Sequence, residues 1–193
     1  SRDHLHSLGI TAVQDALLKL TPGDAYFGLP AYLALEERGE LNLHVINAMY
    51  WQNDISLEEQ LPAFLKARDE STPYIHNTAI KIWQDGVIET ETAALLEPYL
   101  NRGDQFVGEL LNEPAVLNEA VTALDAAGFQ IHFHAIGDRA IRSAFDSIQA
   151  AREANGKHDN RHHISHIQLF SPEDIPRFAE LDVVANFQPL WAI

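Results

Sequence analysis

Three side chains that could bind a metal ion stand on predicted strands far apart in the sequence. Lys81 lies in AIKIWQDG, His134 in IHFHAIGD and His166 in HHISHIQ. Imidazole nitrogen suits zinc and similar divalent ions, and parallel strands direct their carboxyl ends to one face. The residue types therefore indicate a divalent metal centre assembled from distant parts of a barrel. The alternatives are a lysine that extends its amine to solvent and histidines that serve as hydrogen-bonded core residues.

Two further histidines share strand faces with these candidates. His132 lies two residues before His134, so both side chains should project from the same side of a strand. It is either a second ligand or a packed inner residue; we favour packing and keep it as a candidate substrate contact. His162 and His166 likewise share a side, which makes His162 a reserve candidate for substrate contact.

A long stretch separates the third predicted strand, Tyr74 to Trp83, from a helix predicted at Pro114 to Ala127. The intervening DGVIETETAALLEPYLNRGDQFVGE is too long for a simple connection and indicates a lid or substrate loop. Its first residue, Asp85, either shapes the entrance or makes a turn. Gln188, near the last predicted strand, is a further candidate for the substrate pocket.

Composition narrows the classes of protein. Of the 193 residues, 46% are hydrophobic and 21% are charged, as in a soluble globular protein with a real core. The 28 acidic and 13 basic residues give a formal charge of -15. That charge would repel a phosphate backbone, so we expect no nucleic-acid partner. The chain contains no cysteine, so any metal must use nitrogen and oxygen ligands.

Compartment is not determined by the sequence. We find no apolar signal segment and expect no membrane span; the cytoplasm is slightly favoured. The chain opens with Ser-Arg-Asp and carries its one methionine at Met49, and we interpret that start as an internal cut.

Strand-like and helix-like segments alternate along the whole chain. Six predicted strands, from GITAVQDA to VVANFQPLW, are separated by segments with helical spacing. In the helix opened by Asp138, the apolar residues Ile141, Ala144, Phe145 and Ile148 share one face, and Gly156 supplies the stop. The pattern predicts a parallel sheet covered by helices. Periodicity does not separate a barrel from an open doubly wound sheet, but the G-x-G-x-x-G fingerprint of dinucleotide binding does not follow the first strand.

Several segments, in order, resemble the amidohydrolase superfamily and most closely its amidohydrolase family 3 branch, which includes N-substituted formamide deformylases and exoenzyme regulatory proteins. They are LGITAVQDA, KIWQDGVIETETAALLEPY, HAIGDRAI, RHHISHIQLFSPEDIPRFAEL and NFQP. The resemblance implies a partial (β/α)8 TIM barrel in which residues 1–193 supply strands two to seven. The first and eighth strands would be absent, in keeping with a complete barrel of about 250 residues.

The resemblance also implies roles for the candidate ligands. The fourth-strand lysine of the superfamily can be carboxylated and bridge two metals, while histidines of the fifth and sixth strands each give a nitrogen. These roles carry over to Lys81, His134 and His166, with one or two divalent ions, expected to be zinc. The general-base aspartate of the eighth strand would lie beyond Ile193, so no catalytic residue is expected within the chain.

One segment imitates a family motif, and one residue departs from the family pattern. His4-Leu5-His6 looks like the first-strand His-x-His pair, but it stands directly before LGIT, where we predict a surface helix. Family members commonly have Glu before the sixth-strand histidine, whereas this chain has Ser165. The serine would alter a hydrogen bond that orients the ligand.

For the complete protein the resemblance implies a metal-dependent hydrolase that cleaves non-peptide, amide-like C–N bonds of a small amide or formamide. We expect the isolated chain to be inactive and to self-associate through open sheet edges. The alternative is a non-catalytic regulatory or ligand-binding domain that retains the barrel.

Overall fold

The computed structural model describes residues 2–21 and 27–188. Strands and helices alternate as the sequence predicts. The strands are β1 Ala12–Leu18, β2 His44–Tyr50, β3 Ile75–Trp83, β4 Gln130–Ala135, β5 His163–His166 and β6 Val184–Asn186. The helices are α1 Arg2–Ser7, α2 Leu29–Glu37, α3 Leu57–Asp69, α4 Pro114–Ala126, α5 Asp138–Asn155 and α6 Ile175–Glu180.

The order of the strands in the sheet is their order in the chain, from β1 to β6. The contacts between residues divide the chain into two compact units, Ser1–Lys81 and Ile82–Ile193. Within the described residues, no helix is long and apolar enough to cross a membrane.

In the first unit, β2 pairs in parallel with both β1 and β3. The side chains of Leu18, Met49, Ile75 and Ile80 are fully buried between the strands and helices. Helix α3 begins with a capping box, in which Ser56 accepts from the backbone N–H of Glu59 and the Glu59 carboxylate accepts from that of Ser56. The first unit therefore contains two βα repeats followed by β3 as far as Lys81.

In the second unit, β5 pairs in parallel with both β4 and β6, and α4 and α5 pack together. The predicted face of α5 is confirmed, because Ile141, Ala144, Phe145 and Ile148 are all fully buried. The helix ends at Gly156, which has a φ of 83°. Glycine adopts such a positive φ without steric cost, so the predicted stop is confirmed.

The segment between β3 and α4 is irregular except for a short 3-10 turn at Ile88–Thr90. Hydrogen bonds of its backbone groups anchor it to the rest of the second unit. The N–H of Arg139 donates to the carbonyl of Ala94 at 3.1 Å, and the N–H of Leu96 donates to the Asp138 carboxylate at 2.8 Å. The predicted substrate loop is thus a docked segment whose middle is part of the core.

Candidate metal centre

Two candidate ligands, His134 and His166, lie side by side at the carboxyl ends of β4 and β5. Their ring centroids are 4.5 Å apart, with one ring edge directed at the other. The register of the strands pairs His134 with Ser165 and Ala135 with His166, so strict alternation would direct the two rings to opposite faces. The φ of 85° at His166 breaks that alternation and accounts for the meeting of the rings.

The backbone at His166 and Ile167 is strained. Both residues have positive φ, 85° at His166 and 52° at Ile167. Residues other than glycine rarely adopt a positive φ. Such conformations cost on the order of 1–3 kcal/mol each and collect at functional sites. At the end of β5, the direction of the side chains is therefore achieved at a cost in backbone conformational energy.

The hydrogen bond of His134 fixes its tautomer. Its Nε2 lies 2.9 Å from the carbonyl oxygen of Gly86. A carbonyl can only accept, so Nε2 carries the proton. The lone pair of the ring is therefore on Nδ1. Carbonyl partners of this kind orient metal-binding histidines in general.

His166 has the opposite arrangement. Its Nδ1 lies 2.5 Å from Oε1 of Gln188, and because an amide oxygen accepts, Nδ1 donates. The lone pair of His166 is therefore on Nε2. Gln188, predicted as a pocket residue, thus has a defined contact with a candidate ligand.

Lys81 belongs to the first unit, on β3 opposite Tyr50 of β2. Its side chain is buried, and this desolvation lowers the pKa of the amine to about 7, since burial disfavours the charged form. At neutral pH a large fraction of the amine is consequently unprotonated, which is the form that can react with carbon dioxide to give a carbamate.

Asp85 joins the start of the docked segment to the end of β4. Its carboxylate accepts backbone hydrogen bonds from Ala94 at 3.0 Å, Ile136 at 3.0 Å and Gly137 at 2.8 Å. Burial raises the pKa of the Asp85 carboxyl to about 6, although those three bonds act to lower it. One carboxylate oxygen is 3.6 Å from Nε2 of His134. Asp85 therefore holds the backbone next to the candidate ligand His134. A contact with substrate would be a second role for the same carboxylate.

Three glycines permit this close packing. A Cβ at Gly137 would lie 2.1 Å from the carbonyl oxygen of Ala94, and one at Gly108 would lie 2.0 Å from that of Ala93. A Cβ at Gly86 would lie 2.1 Å from Oγ1 of Thr92. Each contact is too short for a real side chain, so the docked segment depends on these glycines.

His132 is packed inside the sheet, as we favour from the sequence. Its Nε2 is 2.9 Å from Oγ of Ser165, whose oxygen also accepts from the amide of Asn186 at 3.0 Å. The Ser165 hydroxyl therefore links His132 to Asn186 across three strands. The ring of His132 also lies 4.0 Å, centroid to centroid, from His163. Sequence reasoning missed His163, whose signal is its register opposite His132 in two parallel strands.

His162, the reserve substrate candidate, uses both ring nitrogens within the core. Nδ1 accepts from the backbone N–H of Ile131 at 3.0 Å, and Nε2 lies 2.9 Å from the Asp125 carboxylate. Burial acts to raise the pKa of Asp125, but hydrogen bonds from His162, Asn155 and Asn160 outweigh it and lower that pKa. A substrate contact through His162 would have to replace one of these bonds.

The remaining predictions concern separate parts of the chain. His4 and His6 lie on α1, which has no buried residue, so the predicted surface helix is confirmed. Across residues 2–21 and 27–188, no three side chains of His, Cys, Asp or Glu gather as a ligand set. Of the three candidate ligands, His134 and His166 are the two whose rings lie in contact.

Parallel βα repeats in chain order define the fold class, a partial (β/α)8 barrel. Two solved structures, both titled uncharacterized metal-dependent hydrolases, share the fold. The protein from Pyrococcus furiosus superposes with a TM-score of 0.73 at 25% identity over 97% of this chain and 36% of that one. The protein from Pyrococcus horikoshii OT3 gives 0.74 at 23% identity over 99% of this chain and 36% of that one.

The chain belongs to the amidohydrolase family, whose model matches residues 3–193. It is 30% identical to the exoenzymes regulatory protein AepA of Pectobacterium carotovorum subsp. carotovorum, over 97% of this chain and 39% of that protein. It is also 30% identical to the putative amidohydrolase YtcJ of Bacillus subtilis (strain 168), over 62% of this chain and 22% of that protein. The chain thus spans about two fifths of the first of these relatives.

Proposed function

We propose that this chain is the central part of a metal-dependent amidohydrolase that cleaves amide-like C–N bonds of small molecules. The observation that carries the proposal is the meeting of His134 and His166, 4.5 Å between centroids, with opposite tautomers fixed by hydrogen bonds. Membership of the amidohydrolase family supports the hydrolytic class.

The residues fit a divalent cation. Nδ1 of His134 and Nε2 of His166 would each give a lone pair, and a carboxylated Lys81 would give anionic oxygen. Two imidazoles and a carbamate form a nitrogen and oxygen donor set of the kind zinc accepts, so we propose zinc, as one or two ions. When bound, the cation lowers the pKa of water toward neutrality and polarises a carbonyl.

The other residues of the site would position these donors. The carbonyl of Gly86 and the side-chain oxygen of Gln188 hold the protonated nitrogens of His134 and His166. Asp85 holds the backbone of Ala94 in the docked segment and of Ile136 and Gly137 after β4. We propose a substrate contact for Gln188, and contacts for the buried Asp85, His132 and His162 only if their inner hydrogen bonds exchange.

The activity itself would belong to a longer protein, because the relatives and structural neighbours extend well beyond the matched part. The resemblance assigns the general base to an aspartate on a strand that follows β6. We therefore expect the 193-residue chain alone to be inactive on amides and formamides. We also expect it to self-associate through β1 and β6, the two ends of the strand order, because unpaired strand edges invite pairing with another chain. Light scattering would reveal that association.

The alternative function is a non-catalytic regulatory or ligand-binding domain. The relative from Pectobacterium is named a regulatory protein. In addition, Ser165 stands where the family commonly has glutamate, and its hydroxyl is occupied with His132 and Asn186. A longer protein that binds zinc tightly and hydrolyses no member of an amide and formamide panel would favour this alternative.

The test is zinc affinity and hydrolysis in parallel. In the longer protein, His134→Ala and His166→Ala should each lose zinc at the site and amide hydrolysis together. His158→Ala is the matched control, since His158 is exposed and contacts the backbone of Asn155. Unchanged zinc content and hydrolysis in both ligand variants would overturn the proposal.

A further inference from the structure

A second pair of histidines lies in the first unit, at the opposite ends of the strands from Lys81. His44 is the first residue of β2 and His76 is the second residue of β3. Lys81 follows His76 by five positions along β3, which is about 17 Å of extended strand. The pair is therefore separate from the candidate centre described above.

The local structure brings the two rings together. The register pairs Ile46 with His76, so His44, two residues before Ile46, projects from the same side of the sheet. The rings are stacked with centroids 5.5 Å apart and planes inclined by 15°. Nδ1 of His44 lies 3.2 Å from Nε2 of His76.

That separation suits a shared metal ion. Two imidazole nitrogens on a tetrahedral zinc ion, each about 2.05 Å from the metal, are about 3.3 Å apart. One proton now lies between the two nitrogens. A metal could replace it without net proton release if that proton moved to the other nitrogen of the same ring. Each ring has such a second nitrogen.

We propose that His44 and His76 form a binding site for a borderline divalent transition-metal ion, of the class of Zn²⁺, Cu²⁺ or Ni²⁺. Imidazole pairs select these ions over Mg²⁺ and Ca²⁺, which take oxygen ligands. His44 is exposed, so the ion can enter from solvent. The formal charge of -15 favours cations near the surface. Because the site bridges β2 and β3 at their amino ends, bound metal would stabilise the first unit.

The experiment is a Zn²⁺ titration of the ¹⁵N-labelled chain, followed by long-range ¹H–¹⁵N correlation of the histidine rings. We expect Nδ1 of His44 and Nε2 of His76 to shift together at the same zinc concentration. In the His76→Gln variant, the same shift of the His44 Nδ1 resonance should require at least tenfold more zinc. The response of the pair should persist in a His134→Ala, His166→Ala double variant, which separates it from the proposed catalytic centre.

His158→Ala is the control for an exposed histidine and should leave the titration unchanged. Circular dichroism of each variant checks that the fold is retained. A His44 response that is the same in His76→Gln as in the parent chain would mean binding to single histidines and would overturn the proposal. Unshifted ring nitrogens up to a millimolar excess of zinc would overturn it as well.

Discussion

The rings of His134 and His166 meet edge to face, 4.5 Å between centroids, although the register of β4 and β5 pairs His134 with Ser165. The left-handed backbone at His166 turns its side chain toward the face of His134. A strained φ at the end of a strand thus produces the juxtaposition on which the proposed metal centre depends.

Gln188 should control the zinc affinity of His166. Gln188→Leu removes the acceptor of the Nδ1 proton, and loss of such a partner weakens a metal site by about 10–100-fold. Gln188→Glu keeps an oxygen acceptor and should bind zinc at least as tightly as the parent protein. Competition with a chromophoric chelator measures both affinities. Equal affinities of the Leu and Glu variants would show that the contact does not orient the ligand.

Lys81→Met should stabilise the chain most at mildly acidic pH. Burial lowers the folded-state pKa of Lys81 from 10.5 to about 7, so the unfolded chain binds the extra proton between these values. The destabilisation that Lys81 causes in the parent chain should therefore decrease as pH rises above about 7, and the advantage of Lys81→Met should shrink. Urea unfolding at pH 6 and pH 9 measures this.

Lys66→Met is the control for that measurement, because Lys66 is exposed and pairs only weakly with Glu70 at 3.9 Å. Its difference from the parent should be near zero at both pH values, since exposed ion pairs contribute little. An advantage of Lys81→Met that grows with pH would contradict the lowered pKa.

Asp125→Asn should destabilise the second unit at neutral pH. The carboxylate accepts from His162, Asn155 and Asn160, and those bonds hold its pKa below the ordinary value. A lowered folded-state pKa stabilises above the unfolded value of about 3.9, and that stability is lost as pH falls through the folded pKa. We expect a loss of about 1–3 kcal/mol at pH 7 that narrows toward pH 3.

Chemical denaturation at the two pH values tests Asp125→Asn, with Asp159→Asn as its control. Asp159 pairs with Arg161 on the surface. Its substitution should change stability by less than about 0.5 kcal/mol, as is usual for exposed positions. A pH-independent effect of Asp125→Asn would mean that charge plays no part.

Gly137→Ala should loosen the docked segment. The added Cβ would meet the carbonyl oxygen of Ala94 at 2.1 Å, so the backbone must shift. We expect a loss of about 1–3 kcal/mol and faster proteolysis between residues 86 and 113. Gly103 has a positive φ with open space around it, so Gly103→Ala should cost only about 1 kcal/mol. A Gly137→Ala chain as stable as the parent would contradict the close approach.

Regular elements were the most predictable part of the molecule. The apolar face of α5 and the surface helix of His4 and His6 follow directly from spacing and polarity. The buried position of His132 also agrees with the packed inner residue that its place on the strand predicts. In each case a local pattern was enough, because burial of one face determines which residues point inward.

Contacts that depend on tertiary structure could not be predicted. The strand pattern gives no sign that φ at His166 is positive, since the residue lies in an ordinary strand sequence. Asp85 looks like a turn residue, and its three backbone donors come from distant Ala94, Ile136 and Gly137. His163 emerged only from register, because periodicity alone does not say which histidines of neighbouring strands lie opposite.

Anomalous X-ray diffraction at the zinc edge, on crystals of the longer protein grown with zinc, tests the central claim most directly. We expect a peak about 2.0–2.1 Å from both Nδ1 of His134 and Nε2 of His166. A zinc-saturated crystal with no peak at these two nitrogens would contradict it.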